Sequence, residues 1–230
     1  MPARYDVIGL DADDTLWHSE DTFHQVEGQF VELVGPYASV GVDIAAALRA
    51  TERAQLPIAG YGVKAFTLSM VQAAITVTEG RVPALVIGQL LTLGMDMLTE
   101  SVRLLPDVPA VLDDLGRDHR LVLITKGDLV HQTRKVTTSG IAHHFEHVEV
   151  VLEKDADTYA RILREVDVAP ERFCMVGNSV RSDILPVLSL GAHAVHIPYP
   201  LLWEHEHIDH DEDLDELAAI RDLPAALRAG

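Results

Sequence analysis

Apolar and polar positions follow two different rhythms along this chain. Residues 5–10 form a short apolar run that ends in Asp11-Ala12-Asp13-Asp14-Thr15-Leu16. Its length and composition suit a buried strand better than a helix. Helical spacing then takes over. Phe23, Val26, Phe30 and Leu33 fall on one face, and Gly35-Pro36 stops the run. An alanine-rich helix is expected from residue 43 to about 56, closed by Pro57 and Gly60. Phe66, Met70, Ala73 and Val77 mark the next helix, ended by Gly80. Pro83 begins another, with Leu90, Leu91, Met97 and Leu98 facing inward.

From about residue 105 helices and strands alternate. Val108, Val111, Leu112 and Leu115 stripe a helix, and residues 120–124 read as a second strand ending in Thr125-Lys126-Gly127-Asp128. A helix follows to about residue 139, with Gly140 as its stop. Strands are expected at 148–152, 172–176 and 192–197, separated by a helix striped with Tyr159, Ile162, Leu163 and Val166 and by one running to residue 190. This alternation predicts an α/β fold, a Rossmann-like doubly wound parallel sheet. The helical stretch then reads as an inserted all-helical cap. The expected division is 1–17 with 103–230 for the sheet-bearing core and 18–102 for the cap.

In such sheets the ligand crevice lies at the carboxyl ends of the strands, and four expected strand ends carry matching chemistry. Asp11 is a carboxylate able to attack phosphorus. Asp13, two residues on, is placed for general acid and base work. Thr125 offers a hydroxyl donor and Lys154 a fixed positive charge beside the Asp11 carboxylate. Asp183, with Asn178 nearby, offers oxygen ligands to a hard cation. Crowding Asp11, Asp13 and Asp14 costs repulsion that a cation offsets, whereas a helix cap needs only one such side chain; Asp14 or Ser19 can fill that simpler role. Taken singly, Thr125, Lys154 and Asp183 read as a cap, an exposed lysine and a solvated helix residue. Their occurrence in order, each just past an apolar strand, favours a shared site.

Composition narrows the partners. A formal net charge of −18 over 230 residues repels phosphate backbones and anionic membrane surfaces, so neither nucleic acid nor membrane is expected as a partner. The 48% hydrophobic content is ample for a core. A lone cysteine, Cys174, in the run Phe173-Cys174-Met175-Val176 reads as a buried small hydrophobe. No apolar stretch is long enough to span a bilayer and no signal-peptide pattern opens the chain, so a cytoplasmic location is the expectation.

The motif Asp11-x-Asp13-x-Thr15-Leu16, with the later strand ends, resembles the haloacid dehalogenase-like hydrolase superfamily over residues 5–16 and about 105–198. The resemblance implies Asp11 as nucleophile, Asp13 as acid and base, Thr125 as phosphate-binding hydroxyl and Lys154 as stabilising lysine. It also implies Mg2+ held by Asp11, the backbone carbonyl of Asp13 and the acidic group after the fourth strand, and it makes the helical segment the family's substrate-shaping cap. The fourth motif departs from the usual Gly-Asp-x-x-x-Asp: here it reads Gly177-Asn178-Ser179-Val180-Arg181-Ser182-Asp183. Asn178 offers an oxygen but no charge, so Asp183 is expected to carry more of the metal binding. Lys126 rivals Lys154 as the lysine and is a candidate substrate contact, but Lys154 holds the position after the third strand.

The expected activity is Mg2+-dependent hydrolysis of a small phosphorylated metabolite through an aspartyl-phosphate. Two alternatives are a haloacid dehalogenase, which needs neither the second aspartate nor a metal, and a receiver-like phospho-acceptor, which is shorter and lacks a helical insertion. Glu204-His205-Glu206-His207, with His210 and Asp211, reads as a solvated acidic surface, and His143, His144 and His147 read as surface histidines. Gly60-Tyr61-Gly62-Val63-Lys64 is a flexible connection in the cap, placed either to face a substrate or simply to join helices.

Overall fold

A computed structural model describes residues 4–201, 203, 206–210, 212 and 214–229. The chain divides into two compact units, residues 1–20 with 102–230 and residues 21–101.

The first unit is built on a five-stranded sheet of β1 (Val7–Leu10), β2 (Arg120–Lys126), β3 (His147–Val151), β4 (Phe173–Gly177) and β5 (His193–His196). The strand order is β3-β2-β1-β4-β5, and every pairing is parallel. Its two faces are sorted by the period of two along each strand. Ile8, Leu10, Cys174 and Val176 pack with Val108, Val111, Leu112 and Leu115 of α5 (Val108–Leu115) and with Leu223 and Leu227 of α9 (Leu223–Ala229). Val7, Phe173 and Met175 turn the other way, toward Tyr159, Ile162 and Leu163 of α7 (Ala156–Glu165). The central strands are therefore covered on both sides, which is why they read as nearly continuous apolar runs. Cys174 is fully buried, and burial pushes its thiol up to about 12, so it acts as a packed apolar residue.

The second unit contains α1 (Glu20–Val34, its first residue in the other unit), α2 (Ile44–Ala59), α3 (Val63–Val77) and α4 (Ala84–Thr99). Val26 and Phe30 of α1, Leu48 of α2, Phe66, Met70 and Ala73 of α3, and Leu90 and Met97 of α4 form one apolar core. Asp43 caps α2 by accepting from the Ala46 amide at 2.9 Å. Pro57 does not close α2 as expected. Proline removes one helical donor, but the last turn is completed by the Gly60 amide on the Leu56 carbonyl, and the helix stops where Gly60 takes a φ of 72°.

Strand boundaries shift by one or two residues from expectation. The larger difference follows β4. Instead of one helix to residue 190, a π-helical turn (Val180–Ile184) leads into a short α8 (Leu185–Leu188). Pro186 cannot donate back into the preceding turn, and the Leu185 amide reaches the Val180 carbonyl instead. The chain leaves and re-enters the α/β unit as a paired crossing: His18 donates its amide to the Arg103 carbonyl at 3.0 Å and Leu105 to that of Leu16 at 2.9 Å. Among the described residues no helix is long and apolar enough to cross a membrane.

Candidate active site

The Asp11 amide continues the β1–β4 ladder by donating to the Val176 carbonyl at 2.9 Å, which fixes its carboxylate at the sheet's carboxyl edge. Lys154 lies between β3 and α7, and Asp183 lies in the π-turn after β4. Their side chains meet. Lys154 Nζ donates to Asp11 Oδ1 at 2.5 Å and to Asp183 Oδ1 at 2.7 Å. All three are buried, at 6%, 5% and 1% exposure for Asp11, Lys154 and Asp183. Gly177 makes the close approach possible, since a Cβ there would collide with the Asp183 carboxylate. The Ser179 amide holds that group's second oxygen at 3.0 Å.

Two buried carboxylates face one ammonium, and the electrostatics reflect that imbalance. Burial raises the Asp11 pKa to about 7, with Lys154 opposing the shift and Asp183 adding to it. Burial also works against the charged form of Lys154, but Asp11 and Asp183 outweigh it and hold the ammonium protonated. The cluster thus lacks positive charge for two ionised carboxylates. Its donors are all oxygen: Asp11 and Asp183 with the Asn178 side-chain carbonyl and the Asp13 main-chain carbonyl close in sequence. That chemistry suits a hard cation such as Mg2+.

Asp13 occupies a different setting. Its side chain is 28% exposed and accepts from three donors, Trp17 Nε1 at 2.6 Å, Gln132 Nε2 at 2.7 Å and Lys135 Nζ. Burial favours its neutral form, but Lys135, Gln132 and Trp17 more than offset this and lower its pKa. Gln132 and Lys135 belong to α6 (Leu129–Thr138), which starts at an Asp128 cap on the His131 amide. Gln132 Nε2 also lies 3.0 Å from Thr125 Oγ1 and so ties Asp13 to the β2 end. As an acceptor from Gln132, the Thr125 hydroxyl keeps its own proton for another acceptor. Neither Gln132 nor Lys135 was expected from the sequence. Their spacing of three, one helical turn apart after the Asp128 cap, was the available signal.

The third carboxylate of the motif does the simpler work. Asp14, at a φ of 63°, accepts from the Ser19 amide at 2.8 Å and the Glu20 amide at 3.1 Å, the entry to α1. Asn178 Oδ1 lies 3.4 Å from Thr15 Oγ1, and its main-chain carbonyl accepts from His196 Nε2 at 3.1 Å. Lys126 points to Glu206 Oε1 at 2.5 Å and Ser182 Oγ at 3.1 Å. Contrary to the expectation from its composition, the acidic stretch is not solvated throughout. Glu206 is buried at 8% exposure, although His207 and His210 are exposed as expected; Glu204, His205 and Asp211 lie outside the described residues. Elsewhere among the described residues His147, Glu149 and Glu165 gather closely, but Arg161 already pairs with both glutamates at 2.9 and 2.6 Å.

The parallel sheet thus brings a carboxylate, a lysine and a second carboxylate together at its strand ends, with an aspartate two residues beyond the first. The family model for haloacid dehalogenase-like hydrolase matches residues 5–191, and the chain belongs to that family of enzymes. A haloacid dehalogenase-like family hydrolase from Xanthomonas campestris is 40% identical, with a TM-score of 0.89 over 99% of this chain and 92% of that one. A 2-haloacid dehalogenase from Pseudomonas syringae shares the fold at 18% identity, with a TM-score of 0.66 over 98% and 99% of the two chains. A glyceraldehyde 3-phosphate phosphatase from Methanothermobacter thermautotrophicus is 29% identical over 133 residues, 53% of this chain and 59% of that protein's length.

Proposed function

We propose that this hydrolase is a Mg2+-dependent phosphatase of a small phosphorylated metabolite, acting through a phosphoryl group carried on Asp11. The observation that carries the reading is the Lys154 ammonium bridging Asp11 and Asp183, with Asp13, two residues beyond Asp11, held by three donors of its own. The phosphatase relative supports the substrate class. The elaborate anchoring of Asp13 favours this reading over dehalogenation, which has no leaving oxygen to protonate.

In this mechanism a carboxylate oxygen of Asp11 attacks phosphorus, the ester bond breaks, and Asp13 gives a proton to the departing oxygen. Asp13 then takes a proton from the water that attacks the acyl-phosphate, releasing phosphate and restoring Asp11. At rest Asp13 is anionic; a phosphoryl dianion arriving beside it raises its proton affinity and readies it as the acid. Lys154 favours the ionised form of Asp11 against burial and offsets charge growing on the phosphoryl oxygens, to which Thr125 donates. Mg2+, held by Asp11, Asp183, Asn178 and the Asp13 carbonyl, would supply the remaining positive charge that lets two anions meet. On this reading the α/β unit performs the chemistry, and the helical unit, with Tyr61 and Lys64, sets substrate choice.

The test is a panel of phosphate esters assayed with and without Mg2+, against 2-haloacids as the rival substrates. Mg2+-dependent phosphate release is expected; halide release without phosphatase activity would replace the proposal with dehalogenation.

A further inference from the structure

Glu206 arrives in the site from far along the chain, in the segment after β5. Its Oε2 accepts from the hydroxyls of Ser179 at 2.5 Å and Ser182 at 2.6 Å, while Oε1 accepts from Lys126 Nζ. These partners are themselves joined. Lys126 donates to Ser182 Oγ at 3.1 Å, and Ser179 Oγ accepts from the Ser182 amide at 3.1 Å. The carboxylate therefore crosslinks the end of β2 to both serines of the turn after β4. Ser179 then passes the restraint on. Its hydroxyl is bound to Glu206, and its amide donates to Asp183 Oδ2 at 3.0 Å. Asp183 in turn shares Lys154 with Asp11. One unbroken chain of hydrogen bonds runs from Glu206 through Ser179, Asp183 and Lys154 to the Asp11 carboxylate.

The turn held in this way needs an external restraint. It is π-helical, with wider and weaker bonding than an α-helix, and Pro186 removes a donor just beyond it. Glu206 supplies the restraint from a different part of the fold, and it is ionised to do so. Burial opposes the charge, but Lys126 and the two serines bring its pKa down to about 2.

We propose that Glu206 is a positioning residue: it clamps the 178–183 turn and thereby sets the placement of Asp183 for the cation and for Lys154. Lys126 belongs to this clamp as its counter-charge. The metal part of the inference rests on the phosphatase reading; the clamp itself does not. Groups that orient a metal ligand without touching the metal are worth about 10–100-fold in metal affinity.

The experiment compares the wild-type protein with Glu206→Gln, Glu206→Asp and Ser179→Ala by two readouts. The first is amide hydrogen exchange in the metal-free protein. Peptides covering 178–185 should exchange about tenfold faster in Glu206→Gln and Ser179→Ala, with those covering 173–177 unchanged. The second is Mg2+ titration by calorimetry, in which both variants should bind about tenfold more weakly and Glu206→Asp should recover part of the loss. Ser179→Ala keeps the Glu206–Lys126 pair, so it carries the test should Glu206→Gln fail to fold. Exchange in 178–185 unchanged from wild type would overturn the clamp. Faster exchange with unchanged Mg2+ affinity would overturn its role in placing Asp183. Wild-type protein that takes up no Mg2+ would sink the metal-dependent reading, and the exchange result alone would then decide the clamp.

Discussion

Among the described residues, the helical unit buries two polar side chains, Ser69 and Thr78, and each hydroxyl is satisfied within the bundle, by Gln55 at 3.1 Å and by the Ala74 carbonyl at 2.7 Å. The α/β unit buries Asp11, Asp14, Lys154, Asp183 and Glu206, and the Ser179 and Ser182 hydroxyls donate to Glu206. Buried charge is costly unless it is paired and hydrogen-bonded. In the α/β unit it gathers just beyond β1, β3 and β4, where the proposed chemistry lies. The helical unit rests instead on apolar packing, which tolerates exchange of surface residues and leaves its exposed positions free to vary with substrate. On the proposed function, this contrast separates the unit that reacts from the one that selects, and it can be broken at several points.

The largest effect is expected in the α/β unit. Asp11→Asn keeps the shape of the side chain and removes the nucleophile, so turnover should fall by at least about 10³-fold with an unchanged thermal midpoint. Near-normal activity in pure variant protein would end the covalent mechanism. In the helical unit, Phe30→Ala empties a fully buried position in the apolar core and should destabilise that unit by about 3–5 kcal/mol. Denaturant unfolding followed by amide exchange should show the loss confined to residues 21–101. A loss spread evenly over both units would mean that they fold as one.

A smaller effect is expected at the metal ligands. EDTA should remove activity and Mg2+ restore it, and Asp183→Ala should raise the Mg2+ needed for half activation by about 10–100-fold, more than Asn178→Ala does. The reverse order would show the ligands wrongly assigned. Smaller again, Tyr61→Ala and Lys64→Ala should reorder the substrate panel by a few-fold in KM while a small generic phosphate ester is hydrolysed nearly as before. Equal losses on every substrate, or none, would remove this loop as the specificity element.

The smallest effect contrasts two glutamates. Glu206 is paired, and its pKa falls to about 2; Glu52 of the helical unit is raised to about 7, first by burial and then by repulsion from Glu27. Glu52 favours the folded state most below its ordinary value of 4.5, and that advantage is lost as pH rises through about 7. Glu52→Gln should therefore be more stable than wild type at pH 8 and indistinguishable from it at pH 4, as read by thermal unfolding. A gap that widens toward low pH would refute the assignment.

Much of this arrangement was legible in the chain. The parallel sheet follows from apolar runs spaced by amphipathic helices, and Asp11, Thr125, Lys154 and Asp183 stand out because each lies just beyond such a run. What escaped is set by contacts between distant segments. Glu206 sits 27 residues from Ser179 and 80 from Lys126, inside a charged stretch whose composition signals solvent exposure. The hold of Gln132 and Lys135 on Asp13 spans 119 and 122 residues. Only helical phase hinted at it. In sequence the π-turn reads as plain helix, because its period differs little over five residues, and Pro186 is the sole clue.

The central claim is that Asp11 carries the phosphoryl group during turnover. The direct measurement mixes enzyme with a 32P-labelled phosphate ester and Mg2+, quenches in acid within the first turnover, and maps the protein-bound label. Hydroxylamine-labile label on the peptide containing Asp11, and none in Asp11→Asn, is the predicted result. Release of phosphate with no label on the protein at any quench time, or label on a peptide that lacks Asp11, would contradict the account.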